Sequence, residues 1–91
     1  MSRLHQRLFR LNERIARLAA EEQQAAAELE VHRHLQDDAR RDAAVTESPI
    51  DREDARDTAA DVARFSGLVA ELRRRRGRLE AKRDRLLARL G

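Results

Sequence analysis

The sequence predicts an all-α fold, a two-helix antiparallel coiled-coil hairpin. Three observations predict it: two long apolar stripes at heptad spacing, a single helix stop between them, and a scarcity of residues that build sheets or loops. Charged residues make up 41% of the 91 residues, aromatic residues only 2%, and the chain has three glycines and one proline. Such a composition is typical of long helices and coiled coils.

The first helix is predicted at about 3–41. Its apolar stripe steps alternately by four and three residues, with a positions at 8, 15, 22 and 29 and d positions at 4, 11, 18 and 25. The stripe becomes irregular after Leu29. There we expect Val31 and Leu35 to close the core nearest the turn, together with Ala55 and Ala59.

A turn loop is predicted at about 42–48 and the second helix at about 49–90. Ser48 suits the N-cap, Pro49 the first helical position and Asp51 the third, where its charge meets the positive helix end. Gly91 can serve as the C-cap. The second stripe places d at 65, 72, 79 and 86 and a at 62, 69, 76, 83 and 90.

The two stripes fit one antiparallel register, in which the numbers of facing d residues add up to 90. Leu4 then faces Leu86 and Leu11 faces Leu79, with the chain reversing near 45. Because a two-helix seam buries little apolar surface, the sequence favours a second copy of the chain or a partner surface, and we expect a homodimer that forms a four-helix bundle. Small residues and Phe9 line the outward faces: Phe9, Ala16, Ala20 and Ala27 on the first helix, and Ala63, Gly67, Ala70, Gly77 and Ala81 on the second. Alanine is also the best helix former, which is the alternative explanation for these small residues.

Charge is segregated along the chain. Residues 1–20 carry five Arg and one Glu, residues 21–72 carry six Arg and fourteen acids, and residues 73–91 carry nine basic residues and two acids. The predicted basic patch is Arg73, Arg74, Arg75, Arg78, Lys82, Arg85 and Arg89. It could bind a phosphate backbone or an acidic protein surface, although cations also suit a helix C-terminus.

The predicted acidic surface lies around the turn. It consists of Asp37, Asp38, Asp42, Glu47, Asp51 and Asp54. Clustered carboxylates could contact a basic site in a partner, although a solvated acidic face is a common alternative. No metal site is expected, because the chain lacks cysteine and His32 and His34 are two residues apart on a helix. We expect no cofactor and no enzymatic activity, since Ser2, Ser48 and Ser66 have no plausible set of a base and a residue that orients it.

The residues Pro49, Ile50, Asp51 and Arg52, which open the second helix after an acidic turn, resemble the hairpin tip of the DksA/TraR transcription factors. The Gre factors are more distantly similar. Proteins of these families insert a coiled-coil hairpin with an acidic tip into the secondary channel of RNA polymerase. The resemblance implies that Asp51 is the acid acting near the polymerase active centre. The family's zinc finger has no counterpart, because this chain contains no cysteine.

The expected function is a non-enzymatic coiled-coil interaction module in the cytoplasm, without membrane contact. The specific expectation is a transcription regulator that contacts RNA polymerase through the acidic turn, with Asp51 free of internal partners. The alternatives are a dimeric structural or adaptor bundle and a nucleic-acid binder that uses the basic patch.

Overall fold

The computed structural model describes residues 2–90 and contains two long α-helices. Helix α1 is Arg3–Thr46 and helix α2 is Pro49–Leu90, with no strand in the described part of the chain. The helices pair antiparallel, so the predicted all-α hairpin is confirmed. The homodimer stays a prediction, and Gly91 lies outside the described residues.

The connection between the helices is shorter than predicted. Only Glu47 and Ser48 lie outside the helices there, so the predicted end of the first helix near 41 and the predicted loop over 42–48 were wrong. The reason is local: Pro49 disfavours helical geometry only at Ser48, and Asp42 to Thr46 contain no helix breaker. Glu47 adopts a left-handed conformation, with φ of 54°, and its N–H donates to the carbonyl of Ala43 at 3.1 Å. This is the αL motif that ends many helices.

The start of α2 follows the predicted capping pattern. The backbone N–H of Asp51 donates to the Ser48 hydroxyl at 3.1 Å, and the N–H of Arg52 donates to the Ser48 carbonyl at 3.0 Å. Ser48 is therefore the N-cap and Pro49 the first helical residue, as the sequence predicts.

Both helices run through two compact units. The first, here the terminal unit, combines the chain up to Gln23 with the chain from Ala70 onward, and the second, the turn unit, is Gln24–Val69. In the terminal unit, the cluster of Leu8, Leu11, Ile15 and Leu86 is buried, and Leu4 and Leu79 pack against it. These residues are the a and d positions of the predicted stripes.

In the turn unit the heptad pattern continues without a break. Ala25, Leu29 and Val69 are buried, and the next seam positions on α1 are the half-buried His32, Gln36, Ala39 and Ala43. Val31 and Leu35 are exposed, so their predicted place in the core was wrong. The ring of His32 stacks on Phe65, with 4.7 Å between centroids, so this ring pair rather than Val31 and Leu35 fills the seam there.

The register differs from the predicted one by seven residues, which is one heptad, because the facing d residues His32 and Phe65 add up to 97 rather than 90. In the turn unit His32 meets Asp61 and Phe65, so that the paired numbers add up to 93 and 97. In the terminal unit Glu22 meets Arg73 and Arg76, with sums of 95 and 98. A sum near 95 is what a reversal between residues 47 and 48 requires, whereas the predicted sum of 90 assumed a reversal near 45.

Candidate functional site

Five aspartates line one groove of the turn unit. Asp38 and Asp42 come from α1, and Asp51, Asp54 and Asp57 come from α2. Spacings of three and four residues place side chains on the same side of a helix, and the short turn brings the two rows together. We call this the acidic groove; Leu35, Ala39 and Thr58 complete it. Of the predicted acidic residues, Asp37 and Glu47 do not line it.

The five carboxylates are not equally free. Asp38 is 2.8 Å from the Arg41 guanidinium. The Asp51 carboxylate is half-buried and accepts a hydrogen bond from the Thr46 hydroxyl, so the prediction that Asp51 has no internal partner was wrong. Within residues 2–90, Asp42, Asp54 and Asp57 have no cationic group within 4.0 Å. These three acids are therefore the members of the groove that lack both a cation and the Thr46 hydroxyl as a partner among residues 2–90.

Two large apolar side chains flank the turn. Val45 is 83% exposed and Ile50 is 72% exposed, one on each side of Glu47 and Ser48. Val45 lies in the loop predicted over 42–48 and Ile50 was named only for the resemblance, so neither was predicted to be an exposed apolar contact. An apolar residue on either side of a two-residue turn is the signal that could have found them. Both side chains offer apolar surface that a partner can bury.

The carboxylates of the acidic groove do not form a metal centre. Among residues 2–90, no three His, Cys, Asp or Glu side chains come close enough together to hold a metal ion. The groove offers negative charge beside apolar surface, and this suits a basic protein surface.

The structure divides the predicted basic patch into two groups. Arg73 and Arg74 are held by carboxylates, with Arg73 donating to Glu22 at 2.8 Å and Arg74 to Glu71 at 2.7 Å. Arg78 lies 4.0 Å from Glu71. The other members of the patch have no carboxylate within 4.0 Å in the described part of the chain: Arg75, Lys82, Arg85 and Arg89.

Glu22 is the centre of an ion-pair network in the terminal unit. Its two carboxylate oxygens accept from the Nε atoms of Arg73 and Arg76, each at 2.8 Å, and Arg76 also donates to Glu80 at 2.7 Å. The Arg76 and Arg73 hydrogen bonds lower the pKa of Glu22, and the bond to Glu22 raises the pKa of Arg76. Arg76 and Glu80 are four residues apart on one helix, so their pairing is local, whereas Glu22 lies far away in the chain. This network is structural and leaves its arginines less available to a partner.

A second groove lies in the terminal unit and is lined by cations. Arg7, Arg10 and Arg14 of α1 face Lys82 of α2, with Leu11 and Leu86 between them. We call these six residues the basic groove. A neighbouring groove shares Arg14 and adds Arg17, Leu18, Glu21 and Arg75. The predicted patch omitted the α1 arginines, although their regular spacing of three and four residues in the sequence is a signal that could have found them.

Formal charge separates between the two units as the sequence predicts. The terminal unit has fourteen basic and six acidic residues, whereas the turn unit has six basic and eleven acidic residues. The chain thus presents two chemically opposite surfaces, each in its own unit.

Comparisons with protein families, with curated proteins and with solved structures find no match to this chain. Across residues 2–90, neither helix carries an apolar stretch long enough for a membrane span.

Proposed function

We propose that the chain is a non-enzymatic interaction module that docks its turn unit against a basic surface of a partner protein. The observation that carries this proposal is the acidic groove, in which Asp42, Asp54 and Asp57 have no cation within 4.0 Å among residues 2–90. A negative surface without internal partners steers association toward a positive one and favours it over other surfaces.

The apolar residues beside the turn can contribute binding energy that charge alone does not provide. Rim charges contribute mainly to the rate and specificity of association, whereas side chains buried at the centre of an interface contribute most of the binding energy. Val45 and Ile50 are exposed at the turn and can be buried by a partner. We therefore expect a docking site that combines cationic side chains with an apolar recess.

The specific partner that we propose is RNA polymerase, contacted through its secondary channel. Support comes from the resemblance of Pro49, Asp51 and Arg52 to the hairpin tip of the DksA/TraR factors. Since Asp51 is bound to Thr46, Asp42 and Asp54 are the acids that we expect to meet the polymerase.

The double variant Asp42→Asn/Asp54→Asn tests this proposal. We expect the wild-type chain to bind purified RNA polymerase at low salt, and the variant to bind at least about tenfold more weakly because two unpaired charges are removed. Affinity is measured by fluorescence anisotropy of the labelled chain.

The matched control is Glu13→Gln/Glu28→Gln, which makes the same change in net charge at two exposed acids outside the acidic groove. Its affinity should stay within about twofold of wild type. Absence of wild-type binding at low salt contradicts the choice of polymerase, and equal weakening of both variants contradicts a role for the groove.

A homodimeric adaptor is the second candidate, favoured by the exposed Phe9 beside the outward alanines of α1. A dimer that buries Phe9 would have a melting temperature that rises with protein concentration. We expect Phe9→Ser to abolish that dependence, measured by circular dichroism at low and high micromolar concentrations. A wild-type melting temperature that is independent of concentration excludes this candidate.

A further inference from the structure

We propose that the basic groove of the terminal unit binds the phosphate backbone of a double-stranded nucleic acid. This inference goes beyond the docking of the turn unit, because it concerns another unit, other residues and the opposite charge. Arg7, Arg10, Arg14 and Lys82 line the groove from both helices, so a polyanion lying along it meets cations on two sides.

The groove belongs to two longer rows of cations. Each row steps by three and four residues, which keeps its members on one side of the helix. The rows are Arg3, Arg7, Arg10, Arg14 and Arg17 on α1 and Arg75, Arg78, Lys82, Arg85 and Arg89 on α2. The two rows come together at Arg14. This residue lines one groove together with Lys82 and the adjoining groove together with Arg75.

The rows are not needed to hold the two helices together. The cations that bridge the helices, Arg73 and Arg76, bind Glu22. By contrast, Arg7, Arg10, Arg14 and Lys82 have no carboxylate within 4.0 Å in the described part of the chain. Like charges gathered without partners repel one another, and a bound polyanion relieves this repulsion.

The apolar residues of the groove argue against a membrane surface as its ligand. Leu11 is 4% exposed and Leu86 is 5% exposed, so they are buried between the helices. A helix that binds at a lipid interface needs protruding apolar side chains to insert among the acyl chains. Binding to a phosphate backbone needs only the charges and the hydrogen-bond donors of arginine and lysine.

The lining also favours a duplex over a single strand. Recognition of single strands depends on aromatic side chains on which bases stack, and no aromatic residue lines the basic groove. Arginine forms paired hydrogen bonds to phosphate and carries no sequence information by that contact. We therefore expect binding that is independent of sequence and similar for DNA and RNA duplexes.

The experiment uses the full chain and a short labelled DNA duplex of mixed sequence, in fluorescence anisotropy titrations at about 50 mM salt and above. We expect binding whose logarithmic affinity falls linearly with the logarithm of salt concentration, with a slope of about 0.9 for each phosphate neutralised. The triple variant Arg7→Gln/Arg10→Gln/Arg14→Gln should lose at least about tenfold in affinity and nearly one unit of slope for each contacting arginine.

The matched control is Arg40→Gln/Arg52→Gln/Arg56→Gln. It removes the same charge from three exposed arginines of the turn unit that do not line the basic groove. Its affinity should stay within about threefold of wild type. Circular dichroism of both variants checks that each keeps its helices.

Four results would overturn the proposal. They are no wild-type binding at about 50 mM salt, equal weakening by both triple variants, tighter binding of a single strand than of the duplex, and tighter binding of anionic lipid vesicles than of the duplex. An RNA duplex of the same length bound with similar affinity supports a contact made through phosphates alone.

Discussion

Leu11→Ala is expected to lower the free energy of unfolding by about 2–5 kcal/mol. Leu11 is buried in the cluster that joins α1 to α2 in the terminal unit, together with Leu8, Ile15 and Leu86. Truncation there removes apolar burial and leaves a cavity that two helices can close only in part. Because the core of the unit is small, the variant should be unfolded or close to its melting transition at room temperature. Urea or thermal unfolding followed by circular dichroism measures the loss.

Leu87→Ala is the matched control for this experiment. Leu87 has the same side chain in the same unit but is 48% exposed. We expect its truncation to lower the free energy of unfolding by less than about 1 kcal/mol. If the two variants lose equal stability, the leucine cluster does not hold the terminal unit together.

Glu22→Gln is expected to lower the melting temperature at neutral pH and to change how stability depends on acid. Glu22 is only 13% exposed and its two oxygens accept from Arg73 and Arg76. These hydrogen bonds lower its pKa from the usual 4.5. A lowered pKa means that the stabilisation is present above about pH 4.5 and is lost as the pH falls through the folded-state value.

The difference in melting temperature between wild type and Glu22→Gln should therefore be largest near neutral pH and shrink below about pH 4.5. Glu71, whose pKa is lowered by Arg74, contributes acid sensitivity to both proteins and cancels in this difference. Glu28→Gln serves as the control, since Glu28 is exposed and has no cation within 4.0 Å among residues 2–90. A difference that does not depend on pH would show that the Glu22 charge contributes nothing.

The sequence was sufficient to predict the two helices, their antiparallel pairing and the cap at Ser48, because heptad spacing and proline geometry are local properties. It was insufficient for the register. Sliding one leucine stripe along another by one heptad keeps apolar residues facing apolar residues, so the pattern hardly distinguishes the two registers. The turn decides between them, and its length depended on whether Asp42 to Thr46 continue the helix.

Some members of the candidate sites were likewise predictable from the sequence, and others were not. Asp38, Asp42, Asp51 and Asp54 meet because they lie close to the turn on either side of it, which the sequence already implies. Which of the neighbouring arginines form ion pairs and which line a groove was not predictable from their position in the run of arginines. Arg74 binds Glu71 whereas Arg75 lines a groove, because one residue rotates a side chain by about 100° around the helix.

The two-residue turn also affects the entropy of binding. Val45 and Ile50 are attached to helices that begin and end beside Glu47 and Ser48, so almost no backbone there remains to be ordered when a partner covers it. A flexible loop carrying the same side chains would lose about 1–2 kcal/mol of conformational freedom for each residue that became fixed. This hairpin loses that conformational freedom when it folds, so the end of the hairpin is pre-organised for contact with a partner.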